Sequence, residues 1–282
     1  MKYDLTQARK CIETLDKRRF DRALLGSGDA FRHIVSLVPL LLHLNHPALP
    51  GYVEDAPAGI ADFILSNYQQ NFLSKEHPEL VEDVQSAVNS DAVFAPILGI
   101  YVMGSFGSIS QTSASDLDIW ICHQDDLSEQ DQQRLAEKTK KISLWASTFH
   151  VEMHFYLMTQ KRFRNERYSD PLTKENSGSA QYMLLLEEFY RSAVRLSGKP
   201  LLWLHLWVED EKQYEAEVAR LVMEGELNPN DWVDFGGLGQ FSASEYFGAS
   251  LWQLYKGIDS PYKSVMKILL LETYAQEYPN AH

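Results

Sequence analysis

"GSFGSISQTSASDLDIWICH", residues 104–123, is the stretch on which the reading of this chain turns. It opens with a Gly-Ser turn, passes through small polar residues and enters a β-rich segment carrying Asp116 and Asp118. Side chains on a strand alternate between faces. In "SDLDIWI" the two aspartates therefore share one face, and Leu117, Ile119 and Ile121 share the other. A carboxylate on a core strand is costly unless it is paired or binds a metal, so the partner of this pair has to be found elsewhere in the chain.

The flanking segments supply one. "ILGIYVMG" (97–104) is a short apolar run ending in glycine, the pattern of a buried strand. Residues 128–148 read as a helix capped by Ser128, with Leu135, Ile142, Leu144 and Trp145 as apolar positions. "HVEMHFYLM" (150–158) alternates again, with Glu152 and His154 on one face and Val151, Met153, Phe155 and Leu157 on the other. The intervening helix is long enough to cross over one face of a sheet. If both apolar faces enter one core, Asp116, Asp118 and Glu152 project together from the opposite side. Such a set suits two divalent cations: magnesium takes hard oxygen ligands and retains waters and phosphate oxygens. Two such ions close together activate an attacking oxygen and stabilise a leaving one.

The Gly104-Ser105 turn complements this set, because backbone N–H groups and a hydroxyl after a strand suit phosphate oxygens. The stretch lacks the lysine of a P-loop and the glycine spacing of a dinucleotide-binding fingerprint.

Elsewhere the chain reads as helical. Residues 4–25 form a charged amphipathic helix, 29–44 a more apolar one and 59–73 another, with "NHPALPGYVEDAPAG" a loop. Residues 74–96 are polar and carry no clear pattern. From about residue 179 onward, "SAQYMLLLEEFYRSAVRL", "DEKQYEAEVARLVMEG", "SASEYFGASLWQLYKGI" and "SPYKSVMKILLLETYAQEY" each have helical spacing, the last with Pro261 in its first turn. The expectation is an α+β protein in three parts: an N-terminal helical segment (1–96), an α/β core (97–178) and a helical domain closing the site (179–282).

Composition narrows the function. The 282 residues carry 39 acidic against 26 basic side chains, a formal charge of −13. That excludes a general nucleic-acid binder, which needs a basic face. It leaves a nucleotide substrate open, since bound metal supplies local positive charge. Two cysteines, Cys11 and Cys122, form neither a disulfide framework nor a zinc pattern. The charged N-terminus is not a signal peptide, and "IVSLVPLLLHL" is too short to span a bilayer. The expectation is a soluble cytoplasmic protein with no membrane insertion.

Strand, Gly-Ser, spacer, D-x-D and a third acid on a later strand together resemble the DNA polymerase β-like nucleotidyltransferase superfamily. With "EEFYRSAVRL", "EYFGASLWQLYKGIDSPYKSVMKILLLE" and "PLLLHLNHPALPGY", the chain more closely resembles the class I adenylate cyclases of gamma-proteobacteria. The resemblance runs from about residue 10 to 280. Those proteins are much longer, so it implies an N-terminal catalytic region ending near residue 282, with regulatory proteins acting through a missing C-terminal region.

The resemblance implies conversion of ATP to 3′,5′-cyclic AMP and pyrophosphate, with two magnesium ions or manganese in their place. Gly104 and Ser105 match the Gly-Ser that holds the triphosphate. Asp116 and Asp118 match the metal-binding pair, and Glu152 the third acid, where many superfamily members have Asp. Glu152 is also the candidate general base. Lys263, at the start of a helix, is expected to reach the β- or γ-phosphate rather than sit as a solvated surface lysine. Tyr262 and Tyr255 are candidates to stack on adenine, with core packing the commoner role of aromatics at helical spacing. His154 is expected to bond its neighbours and His123 to end a strand. Ser113 and Ser115 shape the turn, Cys122 has no role, and Arg191 and Arg195 pair with Glu187 and Glu188. Transfer of a nucleotide to a separate acceptor is the alternative reaction. A nucleotide-binding module that has lost its chemistry is the non-enzymatic one, though all three acids are present.

Overall fold

The computed structural model describes residues 4–82, 84, 95–109, 111–112, 115–165, 182–206, 208, 211–238 and 243–277. Its centre is a mixed sheet of β1 (Ile97–Met103), β2 (Leu117–His123), β3 (Met153–Met158) and β4 (Val194–Gly198), in the order β3-β2-β1-β4. β1 runs antiparallel to β2 and β4, and β2 runs parallel to β3. A parallel pair needs a crossover, which helix α4 (Glu129–Ser147) supplies. The side chain of Ser128 caps it by accepting from the Asp131 amide. The α+β architecture and the elements expected around the aspartates are therefore present.

One sheet face is built as the alternation predicts. Leu117, Ile119 and Ile121 of β2 pack with Met153, Phe155 and Leu157 of β3. Against them lie Leu135 and Ile142 of α4 and the apolar side of α2 (Asp29–His43), including Ile34, Leu37, Val38 and Leu41. Helix α1 (Leu5–Leu25) is charged and largely exposed, and buries Ala23 in the same core.

The opposite face departs from the expectation of carboxylates alone. Past Asp118 it dries out into a second core of Tyr101, Trp120, Cys122, Phe163, Phe189, Tyr190 and Phe235. Phe189, on helix α6 (Tyr182–Ser192), stacks on Trp120 at 4.1 Å and 10°. Helices thus cover both faces, and the carboxylates keep only the end of one.

Two further differences have local causes. The helix expected over 59–73 begins late: α3 spans Asn67–Glu76, set by a capping box between Ser66 and Gln69. Residues before it lie alongside the start of β1 in an isolated parallel bridge, where the Ile97 amide donates to the Gly59 carbonyl and the Ala61 amide to that of Ile97. The helix expected to run through "EEFYRSAVRL" stops at Ser192, and Val194–Gly198 becomes edge strand β4. Val194 and Leu196 face the first core while Arg195 pairs with Glu13, an alternation too short to tell from a helical period.

α5 (Gln160–Asn165) follows β3, and α7 (Tyr214–Met223) follows β4. A final pair, α8 (Ala243–Lys256) and α9 (Pro261–Glu277), docks on α6 through Leu184, Ala249 and Leu271. Among the described residues no helix is long and apolar enough to cross a membrane.

The junction after α2 is held by two unusual groups. Buried Lys138 reaches from α4 to donate to the Leu44 carbonyl at 2.8 Å and Asn45 Oδ1 at 3.1 Å, placing a cation at the end of α2. Burial lowers its pKa to about 8. His43 stacks on Phe63 at 3.9 Å, and its Nδ1 accepts from the Ile60 amide, so that nitrogen carries no proton. Burial lowers the His43 pKa from 6.5 to about 4.

The unfolded chain therefore takes up a proton at residue 43 below 6.5, while the folded chain resists until about 4. The stabilisation from neutral His43 is complete above 6.5 and is lost as pH falls towards 4. The gap sets a ceiling of about 3 kcal/mol on that loss. Asp16, raised to about 6 by burial, titrates with the opposite sign in an overlapping range, so the comparison must be between variants. The difference in unfolding free energy between the parent and His43→Gln should shrink as pH drops from 6.5 to 4. A pH-independent difference would show that His43 is not held neutral.

Candidate active site

The site is built where three strand ends meet. β1 ends at Met103, which is paired with Asp118 in the β1–β2 register. The chain then turns through Gly104 at φ +80°, a conformation glycine adopts without steric cost. A Cβ on Gly104 would lie 3.9 Å from Asp118 Oδ2, so the turn lies directly beside that carboxylate. In the parallel register Asp118 pairs with His154 and Leu117 with Met153, which sets Asp116 level with Glu152. The Leu117 amide donates to the Glu152 carbonyl at 3.0 Å and fixes that level.

Strand alternation thus brings Asp116, Asp118, Glu152 and His154 to one face. Their surroundings differ. Asp118 is half-buried, and its Oδ1 accepts from the Tyr156 hydroxyl at 3.4 Å. Its pKa is raised, first by burial and then by the charge of Asp116. His154 and the Tyr156 hydroxyl pull it down, while Glu188 adds to the rise. Asp116 is exposed. Glu152 is 74% exposed, and its Oε1 accepts from His154 Nε2 at 3.2 Å. Among the described residues no three His, Cys, Asp or Glu side chains are drawn close enough to share an ion. The donor chemistry nonetheless suits a hard cation: two carboxylates share a strand face, and one of them is half-buried beside like charge.

Helix α6 closes one side. Its last residue, Ser192, accepts from the Gly104 amide through Oγ at 3.0 Å and donates to the Glu188 carbonyl at 2.6 Å. Glu188 is also ion-paired, through Oε1, with Lys267 Nζ of α9 at 2.9 Å. Lys263 lies one turn earlier on the same face of α9 and is exposed, and Tyr262 is 90% exposed. Tyr255, at the end of α8, lies against Trp252 with ring centres 5.9 Å apart.

The remaining sequence candidates sort as follows. Arg191 pairs with Glu187 as expected. Arg195 does not pair on its own helix: it bonds Glu13 of α1 at 3.0 Å, because the helix has ended by then. Ser115 Oγ accepts from the Thr112 amide and shapes the turn, and Ser113 lies outside the described residues. His123 ends β2, with Nδ1 bonded to the Gln124 carbonyl. Cys122 is buried in the second core, where burial pushes its thiol pKa up.

Sequence reasoning missed Tyr156, Glu188, Ser192 and Lys267. Tyr156 had a signal, since it shares the parity of Glu152 and His154. Ser192 meets the turn only because α6 ends there, and Glu188 and Lys267 meet each other only through the packing of α9 on α6.

The family described as "Adenylate cyclase NT domain" matches residues 4–204, and "Adenylate cyclase, class-I, second domain" matches residues 241–282. The chain is 68% identical to an adenylate cyclase of Haemophilus influenzae, with 99% of this chain covered and 34% of that protein. It is 62% identical to one from Pasteurella multocida, covering 100% and 34%, and 45% identical to that of Escherichia coli K12, covering 95% and 31%. The chain therefore spans about a third of the length of the curated relatives it matches. No solved structure matches it. The long match across the helices, the sheet and the Gly-Ser turn places this chain in the class-I adenylate cyclase family.

Proposed function

We propose that this chain carries the catalytic region of an adenylate cyclase, forming 3′,5′-cyclic AMP and pyrophosphate from ATP. The observation that carries the reading is the Gly104-Ser105 turn set against Asp118, with Asp116 and Glu152 level with each other on the same face. Family membership and the adenylate cyclase names of its relatives support it. We further read residues 97–178 as a polymerase β-like nucleotidyltransferase core, with the helices of 1–96 packed on it and those of 179–282 closing the nucleotide site. A cytoplasmic location, with ATP at hand, goes with the reading.

In the reaction the ribose 3′-oxygen bonds to the α-phosphorus as the bond from that phosphorus to the β-phosphate oxygen breaks, and pyrophosphate leaves with the electron pair. Positioning and charge stabilisation supply most of the acceleration. Asp116 and Asp118 would hold magnesium in two ions, Glu152 would join one of them only with its exposed side chain turned toward the pair, and manganese would suit the same oxygen donors. When bound, the metal supplies positive charge to the triphosphate and acidity to the 3′-hydroxyl. Glu152 accepts the hydroxyl proton, and His154 orients its carboxylate. Ser105 and the backbone at the turn hold the phosphates. Ser192 takes up the Gly104 N–H, which leaves that contact to the rest of the turn. Lys263 and Lys267 face the triphosphate tail from α9, and Tyr262 or Tyr255 meets the adenine.

The decisive assay is incubation with ATP labelled at the α-phosphorus and magnesium, with no added acceptor. Labelled cyclic AMP is the expected product; label on a macromolecule would establish transfer instead. Asp116→Asn and Asp118→Asn should each lower cyclic AMP formation by at least roughly two to three decades, the loss typical of one electrostatic stabiliser. Their melting temperatures should equal or exceed the parent's, because each change removes a charge from a repelling cluster. Near-parent turnover in either variant, or loss of activity through unfolding, would overturn the assignment.

The two lysines separate by their surroundings. Lys267 is paired with Glu188, whose charge acts on Asp118, whereas Lys263 is exposed a turn away. Lys267→Ala should raise the KM for ATP by about tenfold or more, and Lys263→Ala should raise it less. Equal, parent-like KM values for both would remove α9 from the triphosphate site.

A further inference from the structure

Helix α1 lies outside every motif that points to the reaction, yet it is bound to the Gly-Ser turn at four places. Arg19 Nη2 donates to the Phe106 carbonyl at 3.0 Å. The Phe106 ring is buried against Phe20 of α1 at 5.9 Å and Phe31 of α2 at 6.3 Å. Gly107, at φ +65°, passes so close to α1 that a Cβ there would lie 2.3 Å from the Arg19 carbonyl oxygen. Gln111 Oε1 accepts from the Gly107 amide at 2.7 Å, and its Nε2 donates to the Ala23 carbonyl and to Ser27 Oγ at the end of α1.

The same guanidinium reaches a second part of the site. Arg19 Nη2 donates to the Ser192 carbonyl at 2.6 Å and Nη1 to the Ala193 carbonyl at 3.2 Å. These carbonyls close α6, where intrahelical donors run out. Ser192 is also the residue whose hydroxyl takes the Gly104 amide, and Glu188 lies one turn earlier. One side chain therefore joins the turn beside Asp118 to the helix that bears Glu188. Arginine suits the task because its planar fork presents several donors in fixed directions at once, which lysine does not.

We infer that Arg19 is a positioning residue of the nucleotide site, setting the Gly-Ser turn against the end of α6 so that the turn meets the triphosphate at a defined distance from Asp118. It touches neither acid nor, in this arrangement, the substrate; it acts through the Phe106, Ser192 and Ala193 carbonyls. The inference rests on the cyclase reading for the identity of the ligand, and on the hydrogen bonds alone for the role of the residue.

The test compares the parent chain with Arg19→Ala and Arg19→Lys. Three quantities are read for each: the melting temperature, KM and kcat for ATP with magnesium, and Kd for a non-hydrolysable ATP analogue. Arg19→Ala should raise KM and the analogue Kd by about tenfold or more. Arg19→Lys should recover part of that loss, and guanidinium ion at low millimolar concentration should recover part of it in the alanine variant alone. A purely structural role would lower the melting temperature and scale kcat with the folded fraction, leaving KM and Kd at parent values without guanidinium rescue; that outcome overturns the inference. Parent-like KM and Kd in a stable Arg19→Ala chain would overturn it as well. If the parent forms no cyclic AMP, the cyclase reading fails separately, and the analogue Kd of the variants still decides the role of Arg19.

Discussion

Between Asp118 and Trp120, two residues apart on β2, one face of the sheet passes from wet to dry. Asp118 is half-buried with a raised pKa, while Trp120 lies stacked beneath Phe189 in the second core. A carboxylate cannot be carried further into that face without a partner, so the site must sit at the strand end and the covering helix must stop there. α6 does so: Phe189 closes the core, and Ser192, less than one turn later, meets the Gly104 amide. The turn, the acids and the helix end converge because one strand bears both a charge and a large buried ring on the same side.

The charge balance of the site follows from that convergence. Asp116, Asp118, Glu152 and Glu188 contribute negative charge, and His154 and Lys267 are the cationic or protonatable groups paired among them. A triphosphate would add more negative charge. On the proposed reading, cations would have to offset that charge, metal and the α9 lysines among them.

The support for the turn comes from the opposite end of the sequence. Arg19, Phe20, Ala23 and Ser27 of α1 reach the 104–111 segment through hydrogen bonds and ring packing. The charged helix that looks like surface ornament in a hydropathy reading is thus attached to the site by its few half-buried groups. Its ion pair from Glu13 to Arg195 holds β4 to the same helix.

The sequence by itself determined the local facts: strands around 97–103 and 117–123, the crossover helix, the face shared by Asp116, Asp118 and Glu152, and the glycine turn before them. Those follow from alternation, capping and chain reversal, which act over a few residues. It also pointed to the family through long matching stretches. Tertiary structure alone decided that β4 is a strand, since "SAVRLSG" has no period long enough to distinguish it and the free edge of β1 settled the matter. It alone gave the acid face a second aromatic core, paired Arg195 with α1 rather than with its own helix, paired Lys267 with Glu188, and brought Arg19 and Ser192 to the turn. These are contacts between residues tens to nearly two hundred positions apart. No local spacing encodes them, because they arise only when separate apolar faces share a core.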